Sequence, residues 1–322
     1  GSGNKVNMTV NKDAIGAYVK GNSKLERLKE INLAENGTGL VLEETDFIVD
    51  AEKITSTATK AKAIIAKKSD LTNKAKINLS GNNSIGIYSN APSTKTVKNN
   101  GELTIAGKKT LGVFLKGGQT FVNNANINIA DTTSTKDDEK TIGIYTADGT
   151  TNIKHNSGNI EVGTDKAAGV YLKGVGQTLT AHNGSSMNIG KDSFGIINEG
   201  AGNSIISNIA SQNLREDNIY IYSKDRTGNI TNNTKLTSTG SYNYGIYASG
   251  NVVNNGELNL SGEKTLGAYL IGKQLFENKA NINIADSADA KKPTIGIYTA
   301  TTVEKDGAGN VIATYEGSDI KH

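Results

Sequence analysis

Short runs in which apolar and polar residues alternate recur along the whole chain. One kind of run reads aliphatic, polar, aliphatic, as in Ile77-Asn78-Leu79, Leu103-Thr104-Ile105, Ile127-Asn128-Ile129, Ile160-Glu161-Val162, Leu258-Asn259-Leu260 and Ile282-Asn283-Ile284. A second carries Gly-Ile-Tyr, at Gly86-Ile87-Tyr88, Gly143-Ile144-Tyr145, Gly245-Ile246-Tyr247 and Gly296-Ile297-Tyr298. Close variants stand at Gly16-Ala17-Tyr18, Gly112-Val113-Phe114, Gly169-Val170-Tyr171 and Gly267-Ala268-Tyr269. A third run is shorter and usually ends in Asn, for example Thr96-Val97-Lys98, Phe121-Val122-Asn123, Leu179-Thr180-Ala181 and Val252-Val253-Asn254. Alternation with period two marks a strand with one buried face. Each unit of the chain therefore predicts three short strands separated by Gly- and Asn-rich turns.

Aligned on the glycine of Gly-Ile-Tyr, the units place that position at Gly16, Gly39, near Ala63, Gly86, Gly112, Gly143, Gly169, Gly195, Tyr220, Gly245, Gly267 and Gly296. The spacing of about 22 to 31 residues is that of a solenoid, and period two excludes helical repeats. The expected fold is all-β: a right-handed parallel β-helix of about twelve coils, a rod about 58 Å long at about 4.8 Å per coil. Tyr220 in place of glycine and the irregular unit around Lys60 to Ala66 leave the register open at those two points.

Phase assigns side chains to faces. The residues on both sides of the glycine are apolar (Ile85 and Ile87, Leu111 and Val113, Ile142 and Ile144, Ala168 and Val170, Leu266 and Ala268) and are expected to point inward. Glycine and tyrosine then share the outer face. Eight of the twelve tyrosines occupy this one position, namely Tyr18, Tyr88, Tyr145, Tyr171, Tyr222, Tyr247, Tyr269 and Tyr298, which predicts an aromatic ladder along an exterior wall. The opposite phase would put Tyr inside and expose an aliphatic ridge. The asparagines that end the third runs, Asn99-Asn100, Asn123-Asn124, Asn232-Asn233 and Asn254-Asn255, are expected to bond to their counterparts one coil away. Sequons such as Asn82-Asn83-Ser84 and Asn183-Gly184-Ser185 are what an Asn-rich chain produces by chance.

A longer period overlies the first. Asn99-Asn100-Gly101-Glu102-Leu103 returns as Asn254-Asn255-Gly256-Glu257-Leu258, and Thr141-Ile142-Gly143-Ile144-Tyr145-Thr146-Ala147 as Thr294-Ile295-Gly296-Ile297-Tyr298-Thr299-Ala300, at an offset of 153 to 159 residues. Residues 1–322 thus read as one β-helical segment of two related six-coil sets, about 1–155 and 156–322, cut from a longer array. Matching polar insertions run from Asp131 to Lys140 and from Asp286 to Lys292. Gly1-Ser2-Gly3 reads as an added leader.

Composition narrows the chemistry. Lys and Arg number 35 against 32 Asp and Glu, so no basic excess points to nucleic acid, and there are no cysteines for disulfides or thiolate chemistry. No apolar run approaches the roughly 20 residues needed to span a bilayer. Asp13, Asp165 and Asp192, each beside a lysine ahead of a second run, are the candidate carboxylates for a glycan-cleaving site, with turn chemistry as their plainer explanation. Asp137, Asp138 and Glu139 form an acidic cluster on the first insertion, offered as part of a contact surface with Tyr88, Tyr145, Tyr171, Tyr247, Tyr269 and Tyr298. His155 and His182, each followed by Asn, are expected to stack as ladder residues, without a metal or other cofactor.

The Gly-Ile-Tyr, Asn-Asn-Gly-Glu-Leu and Asn-Ile-Asn-Ile phrases resemble the passenger regions of type V secreted autotransporter adhesins, especially the large fusobacterial outer-membrane adhesins. The resemblance runs along essentially the whole chain. It implies a passenger displayed outside a Gram-negative cell, held by a membrane barrel beyond this segment and attaching to a surface protein or glycan of another bacterium or a host cell. A non-catalytic adhesin shaft is therefore the first functional expectation. A polysaccharide lyase or hydrolase on the same scaffold is the second.

Overall fold

The computed structural model describes residues 5–131, 139–287 and 289–322. Strands from successive units stack in parallel, each unit forming one coil of a β-helix. The sheet built from the Gly-Ile-Tyr runs is continuous, twelve strands from Ile15–Lys20 to Ile295–Ala300, and its order numbers the coils 1 to 12. The third runs form an eleven-stranded sheet from Asp46–Val49 in coil 2 to Asp319–Lys321 in coil 12. The first runs form eight strands, Val6–Val10 to Ser185–Ile189, and then a separate four, Ser211–Leu214 to Ile282–Ile284. Both points of open register are in step: Ile64 opposes Ile87 and Ile65 opposes Tyr88 in one, while Ile221 opposes Ile246 in the other.

The core is one apolar column to which each sheet contributes. Leu103 from the first sheet, Val113 and Ile144 from the second, and Phe121 and Ile153 from the third are all 0% exposed. The expected phase of the second run is correct for the residue after the glycine and for the tyrosine. It is wrong for the glycine and the residue before it. Pairing skips the glycine, so that Ile85 opposes Leu111 and Ile87 opposes Val113. An extra residue thus enters each strand, and two successive positions, Gly and Ile, face inward. A Cβ on Gly143 would lie 2.9 Å from the Ile129 Cδ1 and 2.7 Å from the Gly169 carbonyl oxygen of the next coil, which is why the position takes glycine. Ala63 fills it in coil 3, where the opposing first-strand residue is Ser56 in the place of Leu79. The residue before the glycine turns out: Leu111, Ile142 and Ala168 pack with Tyr145 and Tyr171 in a cluster separate from the core.

The predicted asparagine ladder is double. In the buried column the Asn73 Nδ2 donates to Asn99 Oδ1 at 2.9 Å, Asn99 to Asn123 at 2.8 Å, and Asn123 meets the His155 Nδ1 at 3.1 Å. The second set repeats this, with Asn232 to Asn254 at 2.7 Å, Asn254 to Asn278 at 2.8 Å, and Asn278 to His322 at 3.4 Å. One residue further on, Asn124 donates to Asn100 and Asn255 to Asn233 on the outside. His155 and His182 do not stack. His155 opposes Ala181, and the His182 amide donates to the His155 carbonyl, so the two imidazoles sit one residue out of step on opposite faces of the strand.

Coils 8 and 9 form a joint where the first sheet is interrupted. Tyr220, at the inward glycine position, is 0% exposed and its hydroxyl lies 2.5 Å from that of Ser207, which contacts the Thr234 hydroxyl at 2.6 Å. Ser207 stands where the ladder would have asparagine. The buried Asn232 Oδ1 consequently has no hydrogen-bond partner, and the buried Gln212 Oε1 of the neighbouring first strand has none either. In coil 12 a hairpin, Thr302–Lys305 and Val311–Tyr315, interrupts the path from second to third strand. It leans back on coil 9, where the Arg226 guanidinium sits 3.2 Å from the Tyr315 ring centre.

Candidate functional site

The extra inward residue gives the outer wall of the second sheet its form. With glycine turned in, the residue before it and the tyrosine after it both face out. Two rows of side chains therefore run side by side along the rod. Register places Tyr18, Val41, Ile65, Tyr88, Phe114, Tyr145, Tyr171, Ile197, Tyr222, Tyr247, Tyr269 and Tyr298 in the second of these rows. Of the tyrosines expected on a contact surface, Tyr88, Tyr145, Tyr171, Tyr247 and Tyr269 are half-buried, while Tyr298 is exposed.

The ladder divides into two groups at Ile197. In coils 4 to 7 the rings meet edge to face: Tyr88 and Phe114 at 5.2 Å between centres, Phe114 and Tyr145 at 5.3 Å, Tyr145 and Tyr171 at 5.5 Å. In coils 9 to 12 they turn towards parallel: Tyr222 and Tyr247 at 4.8 Å, Tyr247 and Tyr269 at 4.9 Å, and Tyr269 and Tyr298 at 5.1 Å with planes 4° apart. Stacked rings spend their faces on one another. The edge-to-face group, with Ile142 and Ala168 beneath it, presents the more varied relief.

Two shallow grooves flank that group. One, about 320 Å³, is lined by Leu111, Ile142, Tyr145 and Tyr171, with Lys109, Lys140 and Lys173 at its rim. The other, about 430 Å³, shares Lys140 and Tyr171 and continues over Phe194, Ile197, Ile219 and Tyr222 to Glu199 and Lys224. The Lys140 ammonium lies 5.7 Å from the Phe194 ring centre. Glu139, at the end of the first insertion, holds Lys108 at 3.0 Å beside this rim. Asp137 and Asp138 lie outside the described residues.

The Tyr145, Tyr171 and Tyr247 phenols are held protonated. Burial raises Tyr145, with the charges of Asp148 and Glu199 adding to it. Burial also raises Tyr171, further helped by the hydrogen bond its hydroxyl donates to Glu199. Burial and the neighbouring phenols push Tyr247 up to about 12. The wall therefore offers neutral hydroxyl donors on an apolar floor, held in place by ring-to-ring contact. Such a surface suits saccharides and protein side chains.

The carboxylates considered for catalysis occupy turns. Asp13, Asp165 and Asp192 have φ of 58°, 63° and 53°, the left-handed geometry that Asp tolerates at turns. Asp13 accepts from the Asn36 amide at 2.7 Å and Asp192 from Lys166 at 2.8 Å. Asp46 and Asp70 come together around Lys95, whose ammonium is 3.0 Å from one and 2.9 Å from the other. Burial would raise the Asp70 carboxyl, but Lys95 and the Thr96 amide outweigh it and hold it below the usual carboxylate range. Among the described residues no group of three or more His, Asp or Glu is placed to hold a metal.

Phe194 and the rest of the row before the glycine are parts of the wall that alternation alone misassigns, whereas Phe114 stands at the tyrosine position, which alternation turns outward. The coil 12 hairpin was legible in Asp306-Gly307-Ala308-Gly309-Asn310, a turn sequence between two alternating runs. No protein-family model, curated protein or solved structure matches the chain.

Proposed function

We propose that this segment is part of a non-catalytic adhesin passenger, a stiff β-helical shaft displayed on the surface of a Gram-negative bacterium, with its membrane barrel outside the segment. The observation that carries the reading is the two-row apolar wall, an exterior surface richer in aromatic side chains than shielding the core requires. Its partner is a surface glycan or protein of another bacterium or of a host cell, docking over Tyr145 and Tyr171 beside the first insertion. The repeat phrases shared with autotransporter passengers support the same assignment. The competing enzyme reading gains nothing from Asp46 and Asp70, because a glycosidase general acid needs a raised carboxyl and Asp70 is lowered.

Binding of the fragment to bacterial and host cells tests the proposal. Tyr145→Phe/Tyr171→Phe, which keeps the rings and removes the hydroxyls, and deletion of residues 132–138 are expected to weaken attachment while the far-ultraviolet circular dichroism stays that of wild type. Attachment unchanged in both variants would exclude both surfaces. Release of reducing ends from a polysaccharide panel would replace the adhesin reading with the enzyme.

A further inference from the structure

Each six-coil set contains a column of three buried asparagines followed by a histidine: Asn73, Asn99, Asn123 and the buried His155, then Asn232, Asn254, Asn278 and the exposed His322. The first column has a direction. Every Nδ2 points toward the next coil, and the Asn73 and Asn123 amides also donate to backbone carbonyls two residues on, at 3.0 Å and 2.7 Å. The Asn73 Oδ1 in turn accepts from the Ala75 amide at 3.1 Å. Asn73 and Asn123 cannot be turned round without stranding a buried backbone group, and Asn99 between them cannot without setting donor against donor and acceptor against acceptor. The last donor, Asn123 Nδ2, is accepted by the His155 Nδ1, and the proton on Nε2 points at the Ser186 carbonyl oxygen at 3.3 Å. Beyond His155 the column stops, because coil 7 places Ala181 there.

We propose that His155 is an acid-sensitive latch, in which one proton added to Nδ1 sets two donors face to face and opens the rod between coils 5 and 6. The proposal stands independently of the adhesin reading. It concerns the coils that carry Phe114 and Tyr145, whose rings meet at 5.3 Å, so opening there would alter the wall at the same point. His155 is 1% exposed. Burial lowers its proton affinity; the Ser186 carbonyl offsets part of this, and His182 in coil 7 is the other titratable group acting on it. The neighbours facing the ring, Asn123, Ala181 and Ser186, bring no carboxylate to stabilise an imidazolium. The sign follows: a histidine depressed on folding leaves stability intact above the free-histidine value near 6.5, and stability is lost as pH falls below it.

Amide exchange of the intact chain between pH 7.5 and 5.0, corrected for intrinsic rates, reads the latch directly. Peptides spanning coils 5 and 6, which include the Asn156 amide bonded to the Asn123 carbonyl at 2.9 Å, are expected to open faster on acidification. One proton contributes up to about tenfold per pH unit. His155→Asn supplies a non-titrating acceptor and should abolish the acid dependence, with His155→Gln as a second form of the same test. His182→Asn should retain it. The proposal is overturned if His155→Asn and His155→Gln keep the wild-type acid response, or if the His155 imidazole in the folded chain titrates at or above the free value by NMR.

Discussion

Gly143→Ala separates the two possible phases of the Gly-Ile-Tyr run by the sign of its effect. At an outward position in open space, alanine for glycine stabilises by about 0.4–1 kcal/mol because it narrows the unfolded ensemble. At Gly143 the new Cβ would stand 2.7 Å from the Gly169 carbonyl oxygen, 2.9 Å from the Ile129 Cδ1 and 3.4 Å from the Ile127 Cγ2. The carbonyl belongs to the next coil and is fixed by stacking, whereas the Ile129 methyl can move at a rotamer cost of about 0.5–1.5 kcal/mol. Overpacking of this kind costs about 1–3 kcal/mol, which leaves a net loss of about 1–2 kcal/mol after the unfolded-state gain. Stacked coils open piecewise, so the assay is native-state amide exchange over Ile142–Thr146 and its neighbours, expected to quicken about 5- to 30-fold. Ile129→Val removes the nearest clashing side-chain atom and should couple favourably with Gly143→Ala in a double-mutant cycle. Gly307→Ala, whose Cβ would meet nothing within 4 Å, is the control. Exchange slowed in Gly143→Ala as in the control would refute the inward glycine, and with it the outer placement of Ile142.

Three further outcomes follow from the same geometry. Asn99→Ala removes the acceptor of Asn73 and the donor to Asn123 in a buried row, and is expected to cost about 2–5 kcal/mol by local exchange. Asn124→Ala, on the outer row, should cost less than about 1 kcal/mol, and equal effects would count against the two-ladder description. Residues 208–214 at the joint between coils 8 and 9 should exchange ahead of Gly158–Val162, since the first sheet is interrupted there and two buried acceptors go unpaired. Comparable protection would show the joint to be as firm as its surroundings. The raised Tyr247 phenol contributes stability that is whole below pH 10 and lost as pH rises toward about 12. Alkaline ultraviolet titration in which Tyr247→Phe removes an ordinary phenol, ionising near 10, would contradict the buried ladder.

The architecture was legible because strand period and repeat length are both properties of residue order. Ile127, Ile144 and Ile153 declare a buried face wherever the structure puts one. The turn of the glycine was not legible, because strict alternation allows no extra residue and glycine carries no side chain to reveal its direction. Ile142 added to the error: it is apolar because it packs under Tyr145 and Tyr171, not because it enters the core. His155 and His182 share the dipeptide His-Asn but differ by one step in strand phase, a difference only the pairing of His155 with Ala181 exposes. Of the candidate surface, the tyrosines were found by position. Lys140, Phe194 and the grooves were not, since they depend on which coils lie adjacent.

The second sheet also shows where this rod can vary and where it cannot. Down the inward row after the glycine stand Ala17, Leu40, Ile64, Ile87, Val113, Ile144, Val170, Ile196, Ile221, Ile246, Ala268 and Ile297, all aliphatic. Between the two end coils each is confined by the coils above and below, so a change of one methylene is felt at once. The outward row before the glycine, paired coil to coil in the same register, includes Thr38, Lys62, Leu111, Ala168, Phe194 and Tyr244. Nothing in the stacking restricts that row to one chemistry. A binding surface needs side chains that differ from coil to coil without disturbing the scaffold, and the inward-turned glycine creates such a row beside the tyrosines. The same residue that tightens the core therefore widens the wall available for recognition.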